Sequence, residues 1–341
     1  MTIKDLARLS GYSVGTVSRA LNGLPNVSEQ ARSAILALAQ ERGYQLNTNA
    51  KYLKQIHSSG IVAVVTGTSN ELFAQMIERI QQTLPTDRYP LTVDYVDENE
   101  DPVERALHLS REKKPAGLLF LGGDRRMYAK SFGEITLPSV VLTTDAARLG
   151  FDNLSSVTTD DVEAAECAME YLLESGHRRI GVIAGDLSCS GPSRLRYEGC
   201  LLALERCGLT LPDECCATAR YAFQDGYDAA LRLLVEQPGL TAIFAMSDVM
   251  AIGAMRALHD RGLRIPEDIS VIGFDGLELG EFYTPKLTTI RQQASLLVDR
   301  GVALLLGTLE RGAVARHETV PFTLAVREST SHPPRKDGTN S

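Results

Sequence analysis

The stretch that decides the fold of this chain is residues 2–23, which read TIKDLARLSGYSVGTVSRALNG. Its apolar side chains recur at helical spacing in two short segments. They are Ile3, Leu6, Ala7 and Leu9 in the first segment, and Val17, Ala20 and Leu21 in the second. Gly11 supplies a permissive turn between the segments. Two short helices joined in this way predict a helix-turn-helix, whose second helix enters the DNA major groove, although small helical bundles share the pattern.

The residues after this pair predict a third helix and then a short linker. Ser28 can cap the third helix at its start, and Gly43 can terminate it. Residues 47–54 allow one or two further helical turns before a polar Ser-Ser-Gly segment. The sequence therefore predicts an all-α helix-turn-helix domain over residues 1–46 and a hinge helix or linker over residues 47–58.

Charge is distributed unevenly along the chain. The 341 residues carry a net charge of −8, which by itself argues against nucleic-acid binding. Residues 1–57, however, hold seven basic and three acidic side chains, a net charge of +4, which leaves −12 for the rest. A basic head on an acidic body is the asymmetry expected when one small domain meets phosphates.

From Gly60 onward, short β-branched runs alternate with longer helical patterns. The predicted strands of the first round are residues 61–65, 91–96, 117–121 and 140–142, and those of the second are 180–184, 217–220, 242–246 and 269–274. This alternation predicts an α/β body over residues 59–328, with doubly wound parallel sheets covered by helices on both faces. Two rounds predict two similar lobes with a cleft between them.

Several polar and aromatic residues stand where the predicted strands end, the edge at which parallel sheets bind ligands. The candidates are Phe73, Asp145, Arg196, Phe223, Ser247, Asp248 and Asp275. Arginine and carboxylates bind paired hydroxyls, and a phenylalanine ring stacks on a sugar ring, so the set predicts a small polyhydroxylated ligand. Two of them have a structural alternative, Asp248 as a helix N-cap and Phe73 as a core residue.

Sequence motifs of catalysis and of metal binding are missing from the chain. It has no Gly-x-x-x-x-Gly-Lys-Ser/Thr loop, no Gly-x-Ser-x-Gly elbow and no His-Glu-x-x-His pair. The six cysteines lie between Cys167 and Cys216 without a Cys-x-x-Cys pair, which favours reduced thiols. Four histidines are predicted to be exposed, namely His57, His177, His259 and His317. We therefore expect no enzyme activity, no metal and no cofactor.

No segment reaches the roughly 20 apolar residues that span a bilayer, and the amino terminus has no apolar signal-peptide core, so we expect a cytoplasmic protein without a membrane partner. The tail, residues 329–341, is polar and contains prolines. It lacks the leucine heptads of a tetramerising coil, so we expect a disordered tail and a homodimer.

The helix-turn-helix, the third helix, the linker and the two-lobed body together resemble the lactose/galactose repressor family of bacterial transcription factors, from Thr2 to about Glu328. The resemblance implies the fold of periplasmic sugar-binding proteins for the body. It also implies that the chain crosses back between the lobes. Lobe one would then take residues 59–158 and about 290–318, and lobe two residues 159–289 and 319–328.

The resemblance also implies how the chain meets DNA. Val14, Gly15 and Arg19 fall on the positions that choose bases, and Arg19 is placed to pair with a guanine. The positions that hold phosphates or the register of the motif are Ser13, Thr16, Ser18 and Asn22. Leu53 falls where family members push a leucine into the minor groove, and Lys51 stands two residues earlier, where many relatives carry arginine. Because two such hinges must meet, the expected partner of a homodimer is a near-palindromic operator.

The function implied is sequence-specific transcriptional regulation, with operator affinity set by a small molecule between the lobes. Purine-binding relatives carry an additional arginine where this chain has Cys-Ser-Gly-Pro at residues 189–192, so a sugar or sugar derivative ranks ahead of a nucleobase. Two alternatives are a solute-binding protein without a DNA role and a structural DNA-packaging protein. The missing signal sequence opposes the first, and lobes far larger than DNA binding needs oppose the second.

Overall fold

A computed structural model describes residues 3–21, 25–42, 60–67, 70–188 and 190–334. The chain divides into two units, residues 1–57 and residues 58–341. None of the helices in the described ranges is both long enough and apolar enough to cross a membrane.

The smaller unit contains three helices, α1 (Ile3–Ser10), α2 (Val14–Leu21) and α3 (Glu29–Glu41). Leu6, Val17 and Ile35, one from each helix, are fully buried and form the centre of its core. Gly11 takes the left-handed backbone conformation, with φ +71°, that lets the chain turn sharply after α1. Ser28 caps α3 by accepting a hydrogen bond from the Ala31 amide at 3.3 Å. The predicted helix-turn-helix with its supporting third helix is confirmed.

The larger unit alternates strands and helices, as predicted. Its first elements are β1 (Ile61–Thr66), α4 (Glu71–Thr83), β2 (Leu91–Val96), α5 (Pro102–Lys113), β3 (Gly117–Leu121), α6 (Arg125–Ser131), β4 (Ser139–Leu142), β5 (Leu154–Thr159) and α7 (Asp161–Glu174). There follow β6 (Ile180–Ala184), α8 (Gly191–Arg206), β7 (Cys216–Thr218), α9 (Phe223–Glu236), β8 (Ala242–Ala245), α10 (Asp248–Asp260), β9 (Ser270–Asp275) and α11 (Leu279–Phe282). The last elements are β10 (Thr288–Gln292), α12 (Ala294–Arg311), β11 (His317–Val320) and β12 (Phe322–Ala325).

Two six-stranded sheets, one in each lobe, organise this unit. The strand orders are β11-β5-β4-β3-β1-β2 in lobe one and β12-β10-β9-β8-β6-β7 in lobe two. All neighbouring strands pair parallel except β10 and β12, which pair antiparallel. The central strands are buried along their length because helices cover both faces, and their residues are mostly β-branched or aliphatic. The predicted doubly wound, two-lobed architecture is confirmed.

The chain passes between the lobes three times, after β5, after β10 and after β11. Helix α12 packs against α4, β4 and β5 of lobe one before β11 pairs with β5. Strand β10 belongs to lobe two, so the second passage comes after Gln292 rather than at about residue 290. Strand β5 itself escaped prediction, because its buried residues include Ser155, Ser156, Thr158 and Thr159.

The segment after β12 differs from the disordered tail expected from residue 329. Ser329 is fully buried, and its hydroxyl donates to the Val271 carbonyl at 2.6 Å and accepts from the Thr288 amide at 2.8 Å. His177, predicted to be exposed, is also fully buried and bonds through its two ring nitrogens to the Thr241 hydroxyl and the Ser331 carbonyl, both at 2.9 Å. Hydroxyl side chains thus form hydrogen bonds with backbone groups and hold the segment from Ser329 onward against lobe two. Residues 335–341 lie outside the described ranges.

Candidate functional site

The exposed face of α2 carries most of the side chains predicted to meet DNA. Ser13, Val14, Gly15 and Arg19 are exposed, whereas Thr16 and Ser18 are half-buried. The Ser13 hydroxyl accepts a hydrogen bond from the Thr16 amide at 3.1 Å and so caps the helix. It also shares a 2.9 Å hydrogen bond with the Thr16 hydroxyl.

This face suits entry into a groove, because Val17 and Ala20 hold the opposite face in the core. Val14 is an apolar side chain that is 43% exposed. An exposed apolar side chain on this helix could contact the methyl group of a thymine. The other predicted DNA contacts, Asn22, Lys51 and Leu53, lie outside the described residues.

A cavity of about 310 Å³ lies between the lobes of the larger unit, at the carboxyl ends of the strands. Lobe one supplies Thr66, Asn70, Leu72, Phe73, Glu98, Asn99, Gly122, Gly123, Asp124 and Thr143, and the second passage supplies Gln292. Lobe two supplies Asp186, Ser190, Gly191, Pro192, Arg196, Thr218, Ala219, Arg220, Tyr221, Asp225 and Asp275. Three of the seven predicted ligand residues, Phe73, Arg196 and Asp275, are therefore brought together in this cleft.

Arg196 is a buried cation held by several partners. Its Nε donates to Asp161 Oδ1 at 2.7 Å, and its Nη1 donates to the Met246 carbonyl at 2.6 Å. The guanidinium also lies over the Phe274 ring, 3.6 Å from the ring centroid, and 3.9 Å from Asp275 Oδ1. Burial lowers the pKa of Arg196, but the nearby carboxylates outweigh that effect and raise the pKa above its usual value. Arg196 is therefore a permanently charged, fixed donor.

Asp275 is the buried carboxylate that faces Arg196 from the end of β9. It has φ +116°, a backbone conformation that side chains other than glycine rarely take, and it accepts a hydrogen bond from Gln292 Nε2 at 2.9 Å. Burial raises the pKa of Asp275 to about 6, against the lowering effects of Arg196 and Gln292. Strain and a shifted pKa together at one cleft residue are typical of a binding position.

Phe73 lies at the boundary between the core of lobe one and the cleft. It is buried in the core of lobe one, and its ring also lines the cleft. Gly122 makes room for it, because a Cβ there would stand 2.9 Å from Phe73 Cζ. An apolar ring at the cleft wall offers a surface against which a sugar ring can stack.

Two threonines that line the cleft have hydroxyls without partners in the described part of the chain. Thr66 ends β1 and Thr143 follows β4, and among the described residues neither Oγ1 atom has a hydrogen-bond partner although both atoms are buried. Thr143 also has φ +67°, a left-handed conformation that is strained for a β-branched residue. An unpaired buried hydroxyl is costly, so both residues carry unused hydrogen-bonding capacity at the cleft wall.

The other four predicted ligand residues lie elsewhere. Ser247 caps α10 by accepting from the Met250 amide at 3.2 Å. Asp248 is fully buried and accepts from the Leu277 amide and the Thr289 hydroxyl, each at 2.6 Å, so it braces the end of β9 and is not the N-cap. Phe223 is 42% exposed at the start of α9. Asp145 accepts from the Ala147 amide at 2.9 Å beside a second cavity.

Sequence reasoning missed the ion pairs that join the two lobes beside the cleft. Asp124 caps α6 in lobe one and accepts from Arg194 Nη1 of lobe two at 2.9 Å. Burial would raise the pKa of Asp124, but the guanidinium groups of Arg126 and Arg194 hold it at about 2. Asp124 stands three residues after the end of β3, a position that could have identified it as a candidate site residue. Its partner Arg194 is 70 residues away in the sequence, so the ion pair itself leaves no local signal.

A second pair joins Arg220 Nη2 to Asp97 Oδ2 at 2.9 Å. Arg220 stands after β7 and Asp97 after β2, so this pair also links lobe two to lobe one. Glu98 lies nearby, with 3.7 Å between its Oε2 atom and Arg220 Nε. Within the described residues, no group of three or more histidine, cysteine or acidic side chains is arranged to hold a metal.

A helix-turn-helix unit with an exposed second helix, in one chain with a two-lobed α/β unit, defines a class of bacterial DNA-binding regulators. Comparison with known proteins agrees with this class. Residues 2–47 match the model of bacterial regulatory proteins of the lacI family, and residues 169–330 match that of a periplasmic binding protein-like domain.

Relatives match over nearly the whole chain. The HTH-type transcriptional regulator MalR of Clostridium butyricum is 32% identical over 96% of this chain and 99% of its own length. Among solved structures, a lac repressor dimer bound to operator and the anti-inducer ONPF is 28% identical with a TM-score of 0.78, covering 97% and 99%. The transcriptional regulator CelR in complex with cellobiose is 25% identical with a TM-score of 0.68, covering 96% and 99%.

The chain belongs to the LacI family. It is accordingly a DNA-binding transcriptional regulator, and the alternative of a plain solute-binding protein is wrong. The relatives it matches are regulators of transcription, not enzymes.

Proposed function

We propose that this protein is a cytoplasmic repressor that binds a near-palindromic operator as a homodimer. A sugar or sugar derivative bound between the lobes sets its operator affinity, and the protein catalyses no reaction and needs no cofactor. The observation that carries this proposal is the cleft itself, which Arg196 and Asp275 of lobe two line together with Thr66 and Thr143 of lobe one.

In the DNA-binding half of the proposal, Arg19 is the principal reader of bases. It is exposed on α2, whereas Val14 offers only an apolar contact and Gly15 has no side chain. A bidentate arginine–guanine pair discriminates by about 1–3 kcal/mol. Ser13, Thr16 and Ser18, with Asn22, hold phosphates and register. Lys51 and Leu53 act in the minor groove at the centre of the operator.

The test of this half compares Arg19→Ala with Arg8→Ala. Arg8 is an exposed arginine of α1, with its side chain 80% accessible, so its loss changes the unit's charge equally. On an operator selected from random DNA by the wild-type protein, Arg19→Ala should lose about 1–3 kcal/mol in fluorescence anisotropy titrations. On scrambled DNA at the same salt it should lose no more than Arg8→Ala. Equal losses on both DNAs would contradict the role of Arg19.

In the effector half, charge-assisted hydrogen bonds to ligand hydroxyls come from Arg196 and Asp275, and stacking comes from Phe73. The solved complex of the regulator CelR with cellobiose is consistent with a carbohydrate in this kind of cleft. The ligand can alter operator affinity only if it binds one arrangement of the lobes more tightly than the other. Ligand and operator then change each other's affinity by the same factor.

The test of this half is a thermal-shift screen of sugars, sugar phosphates and nucleosides, followed by operator titration with each compound that binds. Asp275→Asn should abolish binding of the active compound and its influence on DNA, while basal operator affinity stays within a few-fold of wild type. Asp260→Asn, which changes an exposed carboxylate on α10, serves as the matched control. An unchanged response in Asp275→Asn would show that the effector binds elsewhere.

A further inference from the structure

The charges that line the cleft indicate which class of effector it accepts. We propose that the effector is an uncharged polyhydroxyl compound, and that the cleft excludes phosphate esters and carboxylates. This inference rests on the proposed function, in which the cleft is the effector site.

Both cations of the cleft are already engaged by carboxylates of the protein. Among the described lining residues, Arg196 and Arg220 are the only basic side chains. Arg196 donates to Asp161 and lies beside Asp275. Arg220 donates to Asp97 and lies beside Glu98. The positions between 60 and 334 that are not described are Thr68, Ser69 and Cys189, and none of them is basic.

Negative charge outnumbers positive charge along the same wall. Its acidic lining residues are Glu98, Asp124, Asp186, Asp225 and Asp275, of which Asp124 is already paired with Arg126 and Arg194. A phosphate or carboxylate entering the cleft would approach these carboxylates, which repel it. To bind Arg196 it would also have to break the buried ion pair with Asp161, which leaves that carboxylate without its partner.

Two neutral hydroxyl groups at the cleft wall, by contrast, have no partner among the described residues. They are the hydroxyls of Thr66 and Thr143, and both are buried. A hydroxyl can both donate and accept, which complements the hydroxyls of a polyol. The Asp275 carboxylate, already oriented by Gln292, accepts from a hydroxyl donor but repels an anion. The polar groups therefore match a compound that donates and accepts without a net charge.

The first experiment measures matched pairs of ligands on the full-length protein by isothermal titration. The pairs are glucose with glucose 6-phosphate, ribose with ribose 5-phosphate, and galactose with galacturonate, and the neutral member of a binding pair should bind at least about tenfold tighter. An anion that binds tighter than its neutral parent overturns the inference. If that anion also alters operator affinity, the proposed function stands; if a neutral sugar binds without altering it, the proposed function fails instead.

The second experiment uses inorganic phosphate as the probe and needs no knowledge of the effector. At matched ionic strength, phosphate should raise the Tm of the wild type no more than chloride does. The double variant Asp97→Asn/Glu98→Gln removes the two carboxylates closest to Arg220 and leaves only the more distant charge of Asp225, and phosphate should now raise its Tm by about 2 °C or more.

The control is Asp260→Asn, which frees Arg256 on an exposed surface away from the cleft and should give no phosphate response. Two results would overturn the inference. One is a wild type that responds to phosphate as strongly as the double variant. The other is a double variant that stays as indifferent to phosphate as the wild type, because the carboxylates would then not be what keeps anions out.

Discussion

Replacing Asp124 with asparagine isolates the contribution of one buried charge. The Asp124 side chain is only 1% exposed and caps α6 by accepting from the Arg126 amide at 2.8 Å. It also pairs with the guanidinium groups of Arg126 and of Arg194, the latter from the opposite lobe. Asparagine is as good an N-cap as aspartate, so Asp124→Asn removes the charge and keeps the cap.

The expected loss of stability follows from the pKa of Asp124, which falls from 3.8 to about 2. One pKa unit corresponds to about 1.4 kcal/mol, so the ion pairs stabilise the fold by at most about 2.5 kcal/mol. The Arg126 and Arg194 side chains are 60% and 35% exposed, and water screens part of this, which leaves about 1–2 kcal/mol. Because the folded-state pKa is lowered, the stabilisation is complete above about pH 4 and is lost as the pH falls through 2.

The assay is urea unfolding of the full-length variant and wild type, followed by circular dichroism at pH 7 and near pH 3. Asp124→Asn should be less stable by about 1–2 kcal/mol at pH 7 and by roughly half as much near pH 3. Asp160→Asn is the control, since Asp160 caps α7 through the amides of Val162 and Glu163 and is exposed. The reasoning is refuted if Asp124→Asn costs no more than this control, or if its cost does not change with pH.

Three further changes have expected outcomes. Leu53→Ala should reduce the bend of operator DNA in gel-mobility assays without changing effector binding, because the predicted wedge and the cleft are separate. Lowering the pH from 7 to 5 should weaken effector binding about tenfold by calorimetry, because Asp275 has a pKa of about 6 and its protonated form loses an acceptor. Gly253→Ala should lower the free energy of unfolding by about 1–3 kcal/mol in urea, because its Cβ would stand 2.0 Å from the Phe223 carbonyl oxygen.

Each of these changes has a matched comparison. An unchanged bend in Leu53→Ala would contradict the minor-groove wedge. The pH effect should be absent from operator binding without effector, and an equal decline there would assign it to another group. Gly133→Ala should be nearly neutral, since its Cβ would meet only Phe151 at 3.9 Å, and a loss as large as that of Gly253→Ala would remove the steric argument.

The sequence predicted most strands because buried central strands are nearly continuous aliphatic runs. In β1, for example, Ile61–Val65 are all buried. Strand β5 lacks that signal, because Ser156 and Thr159 occupy buried positions where an aliphatic residue is usual. Ser156 lies in the interior because its hydroxyl bonds to His317 Nδ1 on the neighbouring β11 at 2.8 Å. A contact with a residue 161 positions away leaves no local pattern in the sequence.

The position of a residue at or after the end of a strand predicted that it lies near the carboxyl edge of the sheet. The direction of its side chain could not be predicted from the sequence. Asp275 ends the buried strand β9 and Asp248 follows the buried strand β8, yet Asp275 lines the cleft and Asp248 turns inward to the Leu277 amide and the Thr289 hydroxyl. Burial and the nearby Asp275 raise the pKa of Asp248 to about 8, as is expected of a carboxyl group that is buried beside another carboxyl group. The interlobe pair of Asp97 and Arg220 was beyond prediction, because 123 residues separate its members.

The two residues of lobe two that we propose to bind the effector, Arg196 and Asp275, are hydrogen-bonded to the segments that connect the lobes. Asp161 stands just after β5, at the first passage, and it holds Arg196 Nε. Gln292 ends β10, at the second passage, and it donates to Asp275. If the lobes rotate about these passages in the proposed function, Asp161 and Gln292 move with them, and so do the hydrogen bonds that they make to Arg196 and Asp275. In the proposed function, an effector that binds Arg196 and Asp275 thus gains different contacts in the two lobe arrangements, which is the condition for it to shift the equilibrium between them.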